Sequence, residues 1–387
     1  MLTPAIIVLS AAACVIFLVR TIYILFFTPQ LSDSCTTGRD QLPAVSILVP
    51  VRNEAEKLLT ENVISLATQT YPSLEIVIID DNSTDATPNI LKSLHGRFPT
   101  LRIARGHPTL EGWLGKTFAL HQAKSLAQAQ WLLAVDADVV LDTEAITCAV
   151  QFALRHRLDA LCILPHLEMV TFWEKVILPV MSWLGVMRVS PTQTNRHLSK
   201  YCLGFGSSIL FRREPHDLIG GFEAYKNDIL DDCRIMELFK ENGFKVMVAD
   251  GTHLLRCRMY TNLKEIVLGF AKNSFATLRF SSIRLAAFVL AELLCVFLPL
   301  VVLMHIKIDD NVANLTNVAS MGAVFCLFLL MLLWGRKLRA SIIFHLLYPI
   351  GHFMAVAIII YSAVLHLTGK GVYWKERLVE VKHDSGI

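Results

Sequence analysis

The chain has 387 residues, of which 54% are hydrophobic and only 18% charged, and its mean hydropathy is +0.50. That balance excludes an ordinary soluble enzyme and assigns part of the chain to lipid. The formal net charge of +3 is too small for a nucleic-acid-binding protein, because the basic residues flank apolar segments or lie scattered.

Residues 1–30 contain the apolar run PAIIVLSAAACVIFLVRTIYILFF with no basic segment before it, which predicts an uncleaved transmembrane anchor and not a signal peptide. A polar linker, LSDSCTTGRDQLP, follows. From 43 to 258 the composition is that of a globular domain, about 200 residues and large enough to bury its own core. Apolar, β-branched runs at 45–49, 75–79, 101–103 and 131–135 alternate with amphipathic stretches, which predicts βαβ units and a mainly parallel sheet covered on both faces. Ligands of such α/β sheets bind at the carboxyl ends of the strands. The clusters PVRNE, DDNSTD and DAD sit at those ends.

In IIDDNSTDAT, helix capping accounts for Ser83 or Thr84. The consecutive Asp80 and Asp81, with Asp85, exceed that need and offer carboxylates to a nucleobase and ribose hydroxyls. GWLGK places Lys116 at a glycine-flanked helix start, suited to phosphate, although the spacing is not that of a P-loop. WLLAVDADVV ends a buried strand with Asp136 and Asp138, whose spacing directs both carboxylates to one face. Hard divalent ions, Mg²⁺ or Mn²⁺, take such oxygens together with substrate phosphates.

The stripe TFWEKVILPVMSWLGVM (171–187) fits a core helix or an apolar surface lying on the membrane, and a tethered domain favours the surface. At Gly204 and Gly206 the pattern permits a close backbone approach to an acceptor or a tight turn. Asp231 and Asp232 open an amphipathic helix, where acids either complement the helix dipole or supply a general base; spacing leaves both open. His95, His107, His121 and His197 lack ligand spacing and fit loop or surface positions.

Residues 259–282 read as an interfacial amphipathic segment. Three spans follow within 283–367, near 283–305, 313–334 and 340–367, the last interrupted by Pro349 and Gly351 and hence bent or re-entrant. Glu292 is an intramembrane acid, either functional or turned toward a neighbouring helix. Arg20, Arg39, Arg336, Lys337 and Arg339 place the 43–258 domain on the cytoplasmic side, and 368–387 is a basic tail. The nine cysteines form no CxxC pair and are expected to be free thiols.

Taken in order, SILVPVRNEAE, IIDDNSTDAT, GWLGK, the strand ending VDAD, GFGSSILFRRE with IGGF, and LDDCRIMELFKENGF resemble glycosyltransferase family 2, which has the GT-A fold. The layout of anchor, domain and later spans, with FAKNSFATLRFSS and GKGVYWKER, is more narrowly similar to the hopanoid-cluster glycosyltransferases called hopene-associated, and carotenoid-acid glycosyltransferases share it. The resemblance implies nucleotide contacts from Pro50, Arg52, Asn53, Glu54, Asp81 and Asp85, beside the candidates Ser83 and Lys116. It implies metal and diphosphate binding by Asp138 with Asp136 beside it, and a catalytic base at Asp232, helped by Asp231 where the family commonly has Glu. On the acceptor side, the QxxRW motif of processive members is reduced to Arg279 and the aromatic after it, which weighs against polymer synthesis.

The expected protein is thus an integral protein of the plasma or inner membrane with a cytoplasmic GT-A domain. It uses a nucleotide-diphospho-sugar donor, a lipid or isoprenoid acceptor and a divalent metal, and no nucleic acid. Rival expectations are a processive polysaccharide synthase, a polyprenyl-phosphate sugar transferase, and a transporter or scaffold with a degenerate nucleotide-binding domain. Few polar residues in the spans and three retained acidic sites weigh against the last.

Overall fold

The computed structural model describes residues 2–31, 42–197, 199–305, 314–374 and 377–379. The linker with Cys35 and Arg39 and the end of the basic tail lie outside these residues. The chain divides into an α/β unit, Thr28–Glu168 with Val189–Met259, and a helical unit, Met1–Phe27 with Met169–Arg188 and Tyr260–Ile387.

The strands of the α/β unit are β1 (Val45–Val51), β2 (Leu74–Asp80), β3 (Leu101–Arg105), β4 (Trp131–Val135), β5 (Val139–Leu141), β6 (Ala160–Leu164), β7 (His166–Leu167), β8 (Ser208–Arg212), β9 (Val246–Asp250) and β10 (Leu255–Cys257). Seven of them form the main sheet in the order β3-β2-β1-β4-β8-β6-β9, and β5-β10-β7 form a small second sheet. Alternate residues feed two separate cores. Ile47, Val49, Ile76 and Ile78 enter one, and Leu48, Val77, Ile79 and Leu132 the other. Burial on both faces is why these strands are continuously apolar, as parallel strands are. Only β8 runs against its neighbours, pairing antiparallel with β4 and β6.

The fourth strand stops one residue before the acidic pair. Asp136 to Asp138 form a turn in which the Val139 N–H donates to the Asp136 carbonyl at 3.2 Å. The chain bends there because β5 pairs with β10 and leaves the main sheet.

Four helices in the helical unit are long and apolar enough to cross a membrane: Pro4–Phe27, Ser282–Met304, Leu315–Lys337 and Tyr348–Leu367. The expected last segment, 340–367, is interrupted just before Pro349: a short helix, Ile342–His345, and a turn at 346–347 precede Tyr348–Leu367, which runs on through Gly351 because Pro349 occupies its first turn, where a missing N–H costs nothing. The stripe at 171–187 also departs from its expected place on a membrane surface. As helix Phe172–Arg188 it buries Val176, Ile177, Leu178, Val180 and Trp183, and the Trp183 indole N–H donates to Thr21 Oγ1 at 3.0 Å. Packing against other apolar helices, not against lipid alone, accounts for the apolar run. Glu292 faces a neighbouring helix, 2.8 Å from His352 Nδ1. Cysteines 14, 162, 202, 233, 257, 295 and 326 are free, whereas Cys148 is disulfide-bonded. A search for local Cys spacing does not detect such a pairing.

Candidate active site

Two loops at the carboxyl ends of β1 and β2 hold each other. The Arg52 guanidinium donates to the Asp81 and Asn82 carbonyls at 2.6 and 3.2 Å, and the Asn53 N–H donates to Ser83 Oγ at 3.0 Å. The Ala55 and Thr87 N–H groups donate to Asp85 at 3.1 and 2.9 Å. Burial opposes ionisation of Asp85, but donors from Thr87 and Ala55 hold its carboxyl below the ordinary value. Asn53 sits at φ 49°, a left-handed conformation Asn tolerates. Ser83 and Asp85 thus brace the loops, while Asp81 and Glu54 are buried at the strand ends, where the Asp81 N–H donates to the Val51 carbonyl at 2.8 Å.

Lys116, in the first turn of helix Gly115–Leu126, reaches Asp136 with its ammonium at 2.7 and 2.9 Å from the two carboxylate oxygens. It also donates to the Gly206 carbonyl at 3.2 Å. Burial works against its charge, yet the carboxylates of Asp136, Asp231 and Asp232 raise it above the usual lysine value. Asp138 is held differently: its Oδ1 accepts the Cys257 thiol at 3.6 Å. Burial first, then Asp138 and Asp136, pushes that thiol well up, so it stays a donor.

Asp231 and Asp232 open helix Asp231–Glu241. Asp232 Oδ2 accepts the Gly206 N–H at 2.9 Å and Oδ1 accepts the Cys233 N–H at 2.8 Å. The glycine segment packs on this helix start. A Cβ at Gly204 would lie 2.0 Å from the Asp232 carbonyl oxygen, so close backbone approach, not a left-handed turn, demands glycine there. Lys116, Gly206, Tyr225, Asp231 and Asp232 line one pocket with apolar neighbours.

Among the described residues no group of three or more His, Cys, Asp or Glu side chains converges as a metal site. The donor chemistry still fits a hard divalent cation, since Mg²⁺-type sites use one or two carboxylates with waters and substrate phosphates. Asp138 with Asp136 supplies such oxygens.

Residues 46–232 match the family described as Glycosyl transferase family 2. The chain carries a glycosyl transferase family 2 domain. A beta-monoglucosyldiacylglycerol synthase of Nostoc sp. is 33% identical over 225 residues, 54% of this chain and 47% of that protein. A 4,4'-diaponeurosporenoate glycosyltransferase of Staphylococcus haemolyticus is 25% identical over 235 residues, 59% of this chain and 60% of that one. The chain therefore spans about half to three fifths of these relatives' lengths. The mannosyltransferase PcManGT from Pyrobaculum calidifontis, solved in complex with GDP-Man and Mn²⁺, superimposes with a TM-score of 0.54 at 18% identity, covering 94% of this chain and 99% of that one. This likeness shows that the domain has the GT-A fold.

Every candidate but one lies in the α/β unit, those at the ends of β1 and β2 in one hydrogen-bonded group and Lys116, Asp136, Gly206 and Asp232 in another. Arg279 belongs to the helical unit, where it follows helix Leu263–Thr277 with a left-handed backbone, φ 52°. Two supporting residues escaped the sequence reading. Asn62 is fully buried and donates to the Asp136 and Val139 carbonyls at 3.2 and 2.5 Å, clamping the acidic turn. Cys257 holds Asp138. A polar residue on the buried face of an otherwise apolar helix was the available sign for Asn62; an isolated cysteine gave none.

Proposed function

We propose that the protein is an integral membrane glycosyltransferase that moves a sugar from a nucleotide-diphospho-sugar to a lipid-like acceptor, with inversion at the anomeric carbon. The observation that carries this reading is the convergence on Gly206 of Lys116, paired to Asp136, and of Asp232, in a domain of GT-A fold. Asp232 accepts one backbone N–H on each oxygen, which fixes its orientation and leaves lone pairs for a proton. It takes the proton of the acceptor hydroxyl as that oxygen bonds to the anomeric carbon. The bond from that carbon to the diphosphate oxygen breaks, and the nucleoside diphosphate leaves with the electron pair. Lys116 brings a positive charge to the same place. A divalent cation held by Asp138, with Asp136 beside it, supplies neutralisation of the departing diphosphate when bound.

Two observations support a lipid acceptor: four helices long and apolar enough to span, and relatives named for a diacylglycerol glycolipid and for diaponeurosporenoate. An isoprenoid of the hopanoid kind is the finer reading, which rests on the resemblance in sequence layout. Arg20 and the Arg336, Lys337 and Arg339 cluster support a cytoplasmic catalytic side. Labelling of a Glu214→Cys variant with an impermeant maleimide in intact cells tests this: protection is expected, and labelling without permeabilisation puts the domain on the other side.

The function is tested by incubating the full chain in vesicles with radiolabelled nucleotide sugars and lipid extracts. Label in a single-sugar glycolipid is expected. Label in a long polymer makes the protein a processive synthase, and label on a polyprenyl phosphate makes it a carrier-charging enzyme. No consumption of any donor refutes the reading.

A further inference from the structure

The IGGF motif plays no part in the mechanism above, yet it builds something beside the pocket lined by Lys116, Asp231 and Asp232. Gly220 and Gly221 take φ 94° and 62°, conformations open to glycine, and start the 3₁₀ turn Gly221–Tyr225. That turn sets Phe222 edge-on to His216, with ring centroids 4.7 Å apart, and brings the Tyr225 hydroxyl to 2.9 Å from His216 Nε2. On the other side of the imidazole, Lys124 Nζ lies 2.8 Å from Nδ1. Lys124 is ion-paired with Asp217. His216 is fully buried and Tyr225 nearly so.

The polarity of this chain is fixed from its outer end. An ammonium has donors and no acceptor, so Nδ1 of His216 accepts from Lys124. Burial, then the Lys124 and Arg213 charges, pushes His216 well below the usual imidazole value, so the ring is neutral and its one proton is on Nε2. That N–H donates to the Tyr225 oxygen. The Tyr225 proton therefore turns away from His216. Tyr225 lines the same pocket as Asp231, Asp232 and Lys116, and the Asp231 charge acts on its hydroxyl.

We propose that Lys124, His216 and Tyr225 form a one-way hydrogen-bond relay that presents the Tyr225 hydroxyl proton to the pocket beside Asp231. This makes Tyr225 a positioning residue for that carboxylate, and Lys124 the residue that sets its direction. The assignment of a transfer role to the pocket rests on the glycosyltransferase reading; the direction of the relay does not. Without Lys124, His216 is free to carry its proton on Nδ1, and Tyr225 then turns inward to donate to Nε2.

The test has two independent arms in the full chain. First, ¹⁵N shifts of histidine-labelled protein, assigned to His216 by loss in His216→Gln, report the tautomer. The Nε2–H form is expected in the parent and the Nδ1–H form in Lys124→Met. An Nδ1–H tautomer or an imidazolium in the parent overturns the relay, whatever the protein catalyses. Second, Tyr225→Phe keeps the ring and removes the hydroxyl. It is expected to lower kcat about tenfold with donor KM unchanged, and Asp231→Asn to do much the same. In the doubles Tyr225→Phe with Asp231→Asn and Tyr225→Phe with Lys124→Met, the losses should not multiply. Multiplying losses, or a rise in donor KM in step with lost kcat, overturn the positioning role. A parent that transfers no sugar refutes the function instead, and a variant that melts early leaves the parent's tautomer to decide.

Discussion

The two acid pairs of the α/β unit are anchored by opposite means. Asp136 and Asp138 are held by side chains, the Lys116 ammonium and the Cys257 thiol. Asp232 is held by backbone N–H groups of Gly206 and Cys233. A side-chain partner can swing away and exchange one ligand for another, which suits a place where a charged diphosphate and a cation come and go. Backbone donors cannot leave. They suit a group that must stay oriented while it takes a proton, since fixed dipoles need no rearrangement during reaction.

The largest effect expected of breaking this contrast is at Asp138. Asp138→Asn removes the hard anionic oxygen proposed for the cation, and turnover should fall by roughly a thousandfold or more. Titration with Mn²⁺ and nucleoside diphosphate should show both bound more weakly. Full activity of the variant in chelator would remove the metal from the mechanism.

Next comes Asp232→Asn, which leaves a side chain of the same shape without the basic oxygen. Transfer should drop on the order of a hundredfold, the usual contribution of a general base. Donor affinity by calorimetry should hardly move, because the residues proposed for nucleotide and cation lie elsewhere. Parallel loss of donor binding would mean that the two acid pairs act as one site.

A pair of alanine substitutions separates the two kinds of support. At Gly204 the new Cβ meets the Asp232 backbone, with the carbonyl oxygen 2.0 Å away, whereas at Gly206 it meets first the end of the Lys116 side chain, 2.9 Å away. Backbone resists and a lysine terminus yields. Gly204→Ala should therefore destabilise the fold by about 1–3 kcal/mol, as overpacking does, and cut turnover with it. Gly206→Ala should keep the melting temperature and lose only several-fold in activity. Equal melting temperatures for the two would mean that the glycine segment is more pliant than its close approach implies.

The sequence made some of these features plain and hid others. Strands β1 to β4 were legible because each is an apolar run of the right length, and the acids after them because polar clusters at strand ends are rare without a task. Strand β8 was not placed, since an antiparallel insertion between β4 and β6 depends on non-local pairing that no local pattern encodes. The spacing of Asp136 and Asp138 suggests one face of an extended chain because Val139 and Val140 continue the β-branched run, but those residues turn off to pair with β10, more than a hundred residues on. The apolar stripe of helix Phe172–Arg188 looks the same in sequence whether lipid or protein covers it, so only the fold shows which residues it packs against. Lys116 reads from the sequence as a cation at a glycine-flanked helix start, but its pairing with Asp136 requires the fold.

The finest distinction is at Asp231, and it decides whether the helix start contains one working acid or two. Asp231 and Asp232 both stand in the first turn of helix Asp231–Glu241, where a negative charge complements the dipole by roughly 0.3–1 kcal/mol. Losing only that share would cost several-fold at most. The two are not equivalent, because the Gly206 N–H, whose own carbonyl accepts Lys116, goes to Asp232. Asp231 instead acts on Lys116 and on the Tyr225 hydroxyl through its charge. Asp231→Asn should thus lower kcat about tenfold, between pure dipole loss and loss of a base, and leave the melting temperature nearly unchanged. The check is to run Asp231→Asn and Asp232→Asn side by side for product formation and thermal melting. If Asp231→Asn proves the inactive one, the backbone anchoring of Asp232 is structural, and the base is the acid beside Tyr225.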